Sequence, residues 1–209
     1  MNLFKDINKF GHILFKKNIL NITDSNRIEA EEIILNDEIK CYEGNNIKNS
    51  NIRIITKTSN YSHLNRTLEQ IYNFIEDKNR IKLESIWVQK TMTDSRHFNL
   101  NKLPYIPHID KKRMFKIMVY LHNVTIEQGP IFLAKCDTNK FENLRLNLSE
   151  NYKERGENTV KNPNKKKFID CSGPMGTTIF FDTNCPHFAG KINNNKDCRL
   201  VYRFNFLYN

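Results

Sequence analysis

The sequence predicts a mainly β (α+β) fold, a β-sandwich or jelly roll with supporting helices packed on one outer face. The clearest helical pattern lies before residue 80, and the chain after it breaks into short segments rich in β-branched and aromatic residues. Its 209 residues suffice for one well-cored domain and rarely for two. We therefore expect one domain over residues 1–209, with N-terminal helical support over 1–80 and a jelly-roll core over 81–209 that carries an insertion over 137–166.

The N-terminal part contains one strong helical pattern. Residues 10–20 indicate a turn at Gly11 followed by a short strand, and residues 43–51 have the composition of a loop. In residues 62–78, apolar side chains recur at the spacing of one helical face, with polar residues between them. The apolar positions are Leu64, Leu68, Ile71, Tyr72 and Ile75. The spacing predicts a helix over 62–78.

The C-terminal part contains the strands. Their composition predicts strands over residues 81–92, 115–121, 130–135, 177–181 and 199–208. Turn signals such as "EQGP" and "SGPMG" separate them. The polar stretch 137–166 is expected to contain a short helix and a loop, and it and residues 94–106 are candidate lids over a site.

Composition argues against membrane proteins, disulfide frameworks and thiolate zinc sites. No apolar run reaches the ~18–20 residues of a membrane helix, and charge interrupts the N-terminal apolar residues, so a soluble, cytoplasmic protein is expected. The five cysteines are scattered without a Cys-X-X-Cys pair, which argues against a disulfide framework or a thiolate zinc site. The net charge of +10 comes largely from lysine mixed with asparagine, without a nucleic-acid-binding motif. An anionic small-molecule substrate is equally compatible with this charge.

Two histidines and an aspartate suggest a metal site. His108 and Asp110 are two positions apart, so on a strand both side chains point to one face. His187 follows a buried strand and a turn and can supply a third ligand. Two histidines and one carboxylate form the facial triad of non-haem iron(II) oxygenases, which leaves positions open for a bidentate oxo-acid and dioxygen. The lone histidines, His12, His63, His97 and His122, are interpreted as structural.

Arg199 opens the last apolar strand, twelve residues after His187. A buried arginine is costly unless it meets an anion. Two interpretations follow: a structural salt bridge to an acidic neighbour, or a bidentate clamp on the carboxylate of a ligand, for which guanidinium geometry is well suited.

These motifs resemble the iron(II)- and 2-oxoglutarate-dependent oxygenases, and within them the phytanoyl-CoA dioxygenase-like branch. The resemblance covers residues 85–209 and depends on "HID" at 108–110, on 115–135 and on 173–204. It implies a double-stranded β-helix, a cupin-like jelly roll, that uses Fe(II), 2-oxoglutarate and O2 to hydroxylate a small-molecule substrate with release of succinate and CO2. It further implies that His108, Asp110 and His187 bind iron and that Arg199 holds the distal carboxylate of 2-oxoglutarate.

The same resemblance narrows the chemistry. Asp110 stands where related halogenases have a small residue, which argues against halogenation, and Arg199 and Arg203 are four apart, unlike the six-residue spacing of the nucleic-acid demethylases. Arg203 shares a strand face with Arg199; it either binds an acidic group of the substrate or pairs with an acidic side chain at the barrel rim. Gln89 is a candidate for hydrogen bonding 2-oxoglutarate, although alternation leaves open which face of strand 86–93 lines the cavity.

Two other classes compete with the oxygenase. One is a cupin-like protein that binds a metal without 2-oxoglutarate, against which Arg199 argues. The other is a basic nucleic-acid-binding protein in which the metal motif is fortuitous. The sequence does not identify the substrate or the oligomeric state.

Overall fold

The structure, a computed structural model, describes residues 3–35, 50–55, 58, 60–92, 103–160, 168–193 and 198–209. Its helices are α1 (Leu3–Phe10), α2 (Asp24–Leu35), α3 (Ser62–Phe74), α4 (Glu142–Leu146) and α5 (Tyr152–Arg155), with short 3-10 helices over Lys78–Arg80 and Thr138–Phe141. Its strands are β1 (His12–Phe15), β2 (Ser50–Ile55), β3 (Ile81–Met92), β4 (Met114–Tyr120), β5 (Ile131–Ala134), β6 (Phe168–Asp170), β7 (Thr178–Asp182), β8 (His187–Ala189) and β9 (Cys198–Tyr208). None of these described helices is long and apolar enough to cross a membrane.

The strands form two antiparallel sheets. The larger sheet has six strands in the order β1-β7-β4-β9-β3-β2, and the smaller has three in the order β6-β5-β8. β9 is central because it pairs with β3 along one side and with β4 along the other. The mainly β jelly-roll fold predicted from the sequence is confirmed.

Alternation along β9 divides the molecule into a core side and a cavity side. Leu200, Tyr202 and Phe204 are fully or almost fully buried and belong to one apolar cluster with residues of α1, α2 and α3. The intervening Arg199 and Arg203 line a cavity on the opposite face of the sheet. The prediction of helices packed on one outer face is therefore also confirmed.

A side chain of helix α2 caps the N-terminus of helix α3. The Glu29 carboxylate of α2 accepts hydrogen bonds from the backbone N–H groups of His63 (3.0 Å) and Leu64 (2.7 Å) in the first turn of α3. These N–H groups have no partner within their own helix, and a carboxylate at a helix N-terminus is also favoured by the helix dipole. The cap fixes α3 against α2 above the apolar face of the sheet.

The strand predictions agree with the structure to within one residue at each end. The predicted helix over 62–78 ends earlier, at Phe74, because Ile75 has an extended backbone (φ −89°, ψ 113°) and the chain then turns into the 3-10 helix. Stretch 137–166 contains α4 and α5 rather than one short helix. Its residues 161–166 lie outside the described part, as do residues 43–49 of the predicted loop and residues 94–102 of the other candidate lid.

The N-terminal part, for which helical support over 1–80 is expected, also contributes strands to the larger sheet. β1 and β2 both come from the N-terminal part, yet they form the two edges of the six-stranded sheet. β1 pairs with β7, with His12 opposite Phe181, and β2 pairs with β3. The sequence predicts the short strand after Gly11, but its place at an edge of the sheet is set by a partner distant in sequence.

Shortening a buried side chain on the core face of β9 should destabilise the folded protein. Phe204 is completely buried in the cluster between sheet and helices. We expect Phe204→Ala to lower the free energy of unfolding by about 3–5 kcal/mol, because it removes apolar contacts and leaves a cavity. Urea denaturation followed by circular dichroism measures this change. Leu146→Ala, at a side chain that is 64% exposed, is the control and should change it by no more than about 0.5 kcal/mol; equal effects of the two variants would contradict the assigned core.

Candidate metal centre

A cavity of about 150 Å³ lies between the two sheets. Strands β3, β4, β7 and β9 of the larger sheet form one wall, and β5, β8 and the segment before β4 form the other. The cavity brings together all six residues that the sequence singled out: Gln89, His108, Asp110, His187, Arg199 and Arg203.

Three of these side chains converge at one point. The Nε2 atoms of His108 and His187 lie 4.0 and 3.8 Å from the same oxygen, Oδ1 of Asp110. One possible ligand atom from each residue lies within 4.8 Å of the others, and no further histidine, cysteine, aspartate or glutamate of the described residues joins the group. Atoms at this spacing can bind a single ion.

Backbone hydrogen bonds hold this group in place. His108 and His187 form an antiparallel bridge in which each N–H donates to the other's carbonyl, at 3.0 and 2.9 Å. Asp110, two residues further along, donates its N–H to the Thr183 carbonyl (3.2 Å), and the Asn158 amide donates to the Ile109 carbonyl (3.0 Å). The bridge therefore sets the two imidazoles side by side, with ring centroids 4.5 Å apart.

The imidazole tautomers suit metal binding. Nδ1 of His108 lies 2.8 Å from the Ile106 carbonyl, and Nδ1 of His187 lies 2.9 Å from the Cys185 carbonyl. Because a carbonyl only accepts, each Nδ1 carries the proton as donor and each Nε2 keeps its lone pair. A carbonyl partner of this kind also orients the ring of a metal-binding histidine.

Burial keeps both rings neutral. It lowers the pKa of His187 to about 3, assisted by the neighbouring His108 and opposed by Asp110. Burial likewise lowers the pKa of His108, again against the attraction of Asp110. Both side chains are only 7% exposed. Neutral imidazole is the form that binds a cation, so the site is ready for a metal throughout the neutral range.

Lys116 on β4 is the partner of the carboxylate. Its Nζ donates to Oδ2 of Asp110 at 2.5 Å. Burial by itself would raise the pKa of Asp110, but the charge of Lys116 and its hydrogen bond outweigh burial and hold that pKa well below its ordinary value. The carboxylate is therefore ionised, with Oδ2 engaged by the ammonium group and Oδ1 turned to the histidines.

Arg199 is buried in the same cavity without a counter-ion. The residue is 6% exposed, its Nη1 has no hydrogen-bond partner, and no acidic side chain in the described ranges forms an ion pair with it. Burial lowers the pKa of Arg199, while the hydroxyls of Tyr120 and Tyr105 act in the opposite direction. A structural salt bridge thus finds no support among the described residues, and the guanidinium faces a space that an anion can fill.

Comparison with solved structures identifies the fold. The epimerase SnoN from nogalamycin biosynthesis, in complex with Fe3+, alpha ketoglutarate and nogalamycin RO, matches with a TM-score of 0.68 at 13% identity, over 99% of this chain and 82% of that one. HygX from Streptomyces hygroscopicus, with nickel and 2-oxoglutarate bound, matches with a TM-score of 0.63 at 15% identity, over 99% and 86%. EvdO2 from Micromonospora carbonacea var. aurantiaca, complexed with 2-oxoglutarate, matches with a TM-score of 0.58 at 13% identity, over 98% and 89%.

The chain has the fold of 2-oxoglutarate-dependent non-haem enzymes. No protein-family model matches its sequence, and no curated protein matches it. The likeness is therefore one of backbone architecture, and the possible reaction depends on the side chains of the site.

The structure shows which face of strand β3 lines the cavity. Trp87, Gln89 and Thr91 line the cavity, whereas Ile86 and Val88 belong to the core on the other face. Gln89 donates a hydrogen bond to Thr91 Oγ1 (3.1 Å) from its side-chain amide. The Gln89 side chain thus lies where it can reach a ligand, although its role stays a prediction.

Arg203 also lies in the cavity, as sharing a strand face with Arg199 requires. Its guanidinium stacks on Trp87, with 3.6 Å from Cζ to the ring centroid. The two residues are direct neighbours across β9 and β3. This contact places a cation at the cavity wall and keeps its planar face against an aromatic ring.

Sequence reasoning missed Lys116 and Tyr105, which line the cavity beside the predicted residues. Lys116 had a detectable signal, because it is a single charge within the apolar run "FKIMVYL" and a buried charge requires a partner. Tyr105 lies in an irregular segment that carries no such pattern. The lone histidines His12, His63 and His122 lie outside the triad, and His97 falls outside the described residues.

The histidine environment predicts how the metal-free protein responds to acid. As the pH falls below 6.5, His187 takes up a proton in the unfolded chain but stays neutral in the folded protein down to about pH 3. The free energy of unfolding should therefore fall with decreasing pH, by about 1.4 kcal/mol per pH unit from this side chain between about pH 5.5 and 4. Asp110 adds to the loss only below its ordinary pKa of 3.8.

Urea titrations of metal-free wild type and His187→Gln at several pH values measure this slope. The variant should lose about that share of the slope while retaining the contributions of the other histidines. A slope that is the same in both proteins would contradict a buried, neutral His187.

Proposed function

We propose that the protein is an Fe(II)- and 2-oxoglutarate-dependent oxygenase that hydroxylates an unactivated C–H bond of a small anionic substrate, with release of succinate and CO2. One observation carries the proposal: a single cavity holds a two-histidine, one-carboxylate donor set and a buried guanidinium without an acidic partner among the described residues. A cupin-like metal site that works without 2-oxoglutarate has no use for such a guanidinium.

The donor set fits iron. Two neutral imidazole nitrogens and one carboxylate oxygen on one side of an ion make up the triad typical of non-haem Fe(II) oxygenases, with positions left for other ligands. Nε2 of His108, Nε2 of His187 and Oδ1 of Asp110 would hold the metal. When bound, iron(II) together with 2-oxoglutarate and O2 supplies the oxidising power that no side chain has.

Lys116 sets how the carboxylate is presented. Its hydrogen bond occupies Oδ2, so Asp110 offers one oxygen to the metal rather than two. A carboxylate that binds through one oxygen uses one coordination position, which leaves more positions for the oxo-acid and dioxygen. The ion pair also keeps the carboxylate from swinging away in the absence of metal.

Arg199 would bind the distal carboxylate of 2-oxoglutarate. Its planar guanidinium suits a bidentate carboxylate, and burial strengthens the pairing because water does not compete. Gln89 lies in the same cavity and would add a hydrogen bond to the co-substrate. Arg203, at the wall shared with Trp87, would contact an acidic group of the substrate.

The surrounding architecture supports this assignment without fixing the reaction. SnoN, which shares the fold, is an epimerase, so the same scaffold hosts outcomes other than hydroxylation. Hydroxylation is proposed because Asp110 completes the triad, as the motif likeness implies. The order and spacing of the four motif residues also favour the phytanoyl-CoA dioxygenase-like branch.

Anaerobic titration with iron(II) and 2-oxoglutarate tests the proposal. Wild type should develop the weak visible charge-transfer band of an iron–oxo-acid chelate, and Asp110→Ala should not, because one of three protein ligands is missing. Iron binding without a band in the wild type would instead indicate a cupin-like metal protein. Succinate release in the presence of candidate substrates then identifies what is oxidised.

The role of Arg199 has a separate consequence for stability. Arg199→Met replaces a buried charge that lacks a described acidic partner with an apolar side chain of similar length, so the metal-free protein should unfold at the same or higher urea concentration than the wild type. The same variant should still bind iron but require at least tenfold more 2-oxoglutarate to form the band.

Arg203→Ala is the matched control in these titrations. It removes a second cavity arginine on the same strand face, yet it should leave 2-oxoglutarate binding within about twofold and raise the apparent KM for an identified substrate. Gln89→Leu should weaken 2-oxoglutarate by less than Arg199→Met does. Equal losses of 2-oxoglutarate affinity in both arginine variants would contradict the division of roles.

A further inference from the structure

A second, larger cleft adjoins the metal cavity. It measures about 790 Å³, within the ~300–1,000 Å³ of small-molecule sites, and lies beside the short helices α4 and α5. The two spaces share four lining residues: Trp87, Asp110, Lys116 and Arg203. Asp110, one of the three proposed metal ligands, therefore lines both spaces, and Trp87, Arg203 and Lys116 lie at their shared boundary.

The cleft is lined by more positive than negative side chains, and part of that charge is already neutralised. Each of three cleft cations pairs with a carboxylate: Lys112 with Glu84, Arg113 with Asp182, and Arg145 with Glu142. Lys116 pairs with Asp110. These pairs belong to the wall itself and leave little attraction for a ligand.

Two further lysines differ from these. Lys111 and Lys153 lie over the ring of Tyr152, with their Nζ atoms 5.4 and 5.8 Å from its centroid. Lys111 also donates to the Ser149 carbonyl (3.2 Å), a neutral acceptor. Within the described ranges neither ammonium forms an ion pair. We refer to Lys111, Tyr152 and Lys153 as the lysine–tyrosine cluster.

The cluster is close to the metal site. Lys111 directly follows the metal-binding Asp110, and consecutive Cα atoms are only about 3.8 Å apart. Asp110 and Lys116, which line the metal cavity, also line the cleft that holds Lys111 and Lys153. An anion held by the cluster is thus within one small-molecule length of the position where oxidation would occur.

We propose that the lysine–tyrosine cluster binds the phosphate group of a phosphorylated small-molecule substrate, whose reacting carbon enters the metal cavity past Trp87 and Arg203. This inference rests on the proposed oxygenase function and names its substrate class. A phosphomonoester carries about −1.5 to −2 charges near pH 7, which matches two ammonium groups, and lysine binds phosphate well as a point charge. A single carboxylate would leave one ammonium uncompensated.

The shape of the cleft favours a small molecule over a nucleic acid. The cluster lies within a cleft of limited volume beside α5. The cationic side chains of the cleft contact its own aromatic rings, which are those of Tyr152, Tyr208 and Trp87. Binding of single strands requires aromatic rings that are free to stack on successive bases along a groove. In the described residues, these rings instead support cations.

Isothermal titration calorimetry with phenyl phosphate as the probe tests the proposal on full-length protein loaded anaerobically with iron(II) and 2-oxoglutarate. The variant is the double substitution Lys111→Ala, Lys153→Ala. Lys82→Ala, Lys140→Ala removes the same charge from exposed positions outside the cleft and is the matched control. We expect the cluster variant to bind phenyl phosphate at least tenfold more weakly and the control to bind within about twofold of wild type. Phenol, which lacks the phosphate, should not bind measurably.

Three results would overturn the proposal: equal affinities in the cluster and control variants; loss of the iron–oxo-acid band as phenyl phosphate is added, because the probe would then occupy the Arg199 site; or tighter, cluster-dependent binding of a short single-stranded oligonucleotide. Lys153→Ala alone, at an exposed position, should weaken binding about threefold or more and guards against misfolding of the double variant.

The band itself reports separately on the oxygenase function. A normal band without phosphate binding refutes only the subsite, whereas cluster-dependent phosphate binding without a band refutes only the oxygenase.

Discussion

The antiparallel bridge between His108 and His187 is the contact on which the site depends. These two residues are far apart in sequence, and their reciprocal backbone hydrogen bonds bring the segment before β4 against the first residue of β8. Once this pairing forms, strand geometry places Asp110 on the same side as His108. The carbonyls of Ile106 and Cys185, each two residues before its histidine, then fix the ring orientation, so ligand geometry follows from backbone structure.

The described residues give the cavity an excess of positive charge. Among the described residues, Arg199 lines it without an acidic partner, whereas Lys116 pairs with Asp110 and both histidines are neutral. A divalent metal would increase the positive excess. A buried charge is unfavourable unless a counter-ion pairs with it, so the cavity favours the binding of an anion. The folded state is thus less stable at this site than an apolar cavity would make it, which is the usual trade-off between stability and function.

The two arginines of β9 illustrate how one strand can serve two ligands. Arg199 and Arg203 are four residues apart, about 13 Å along a strand, and they lie on the same face. Arg199 lies deep in the cavity, whereas Arg203 is stacked on Trp87 at the wall shared with the larger cleft. Under the proposed function, the deep end would take the co-substrate and the shared wall would take the substrate. The fold alone, which also supports epimerisation in SnoN, makes no such distinction.

The sequence by itself determined the elements whose pattern is local. The content of β-branched and aromatic residues predicted five strands to within a residue at each end, and the spacing of His108 and Asp110 placed two candidate metal ligands on one face. Tertiary structure alone decided strand β2, the edge position of the predicted strand β1, the phase of β3 and the pairing of Lys116 with Asp110. Periodicity is a property of neighbouring residues, whereas an edge position or the counter-ion of a buried charge depends on contacts between residues distant in the chain.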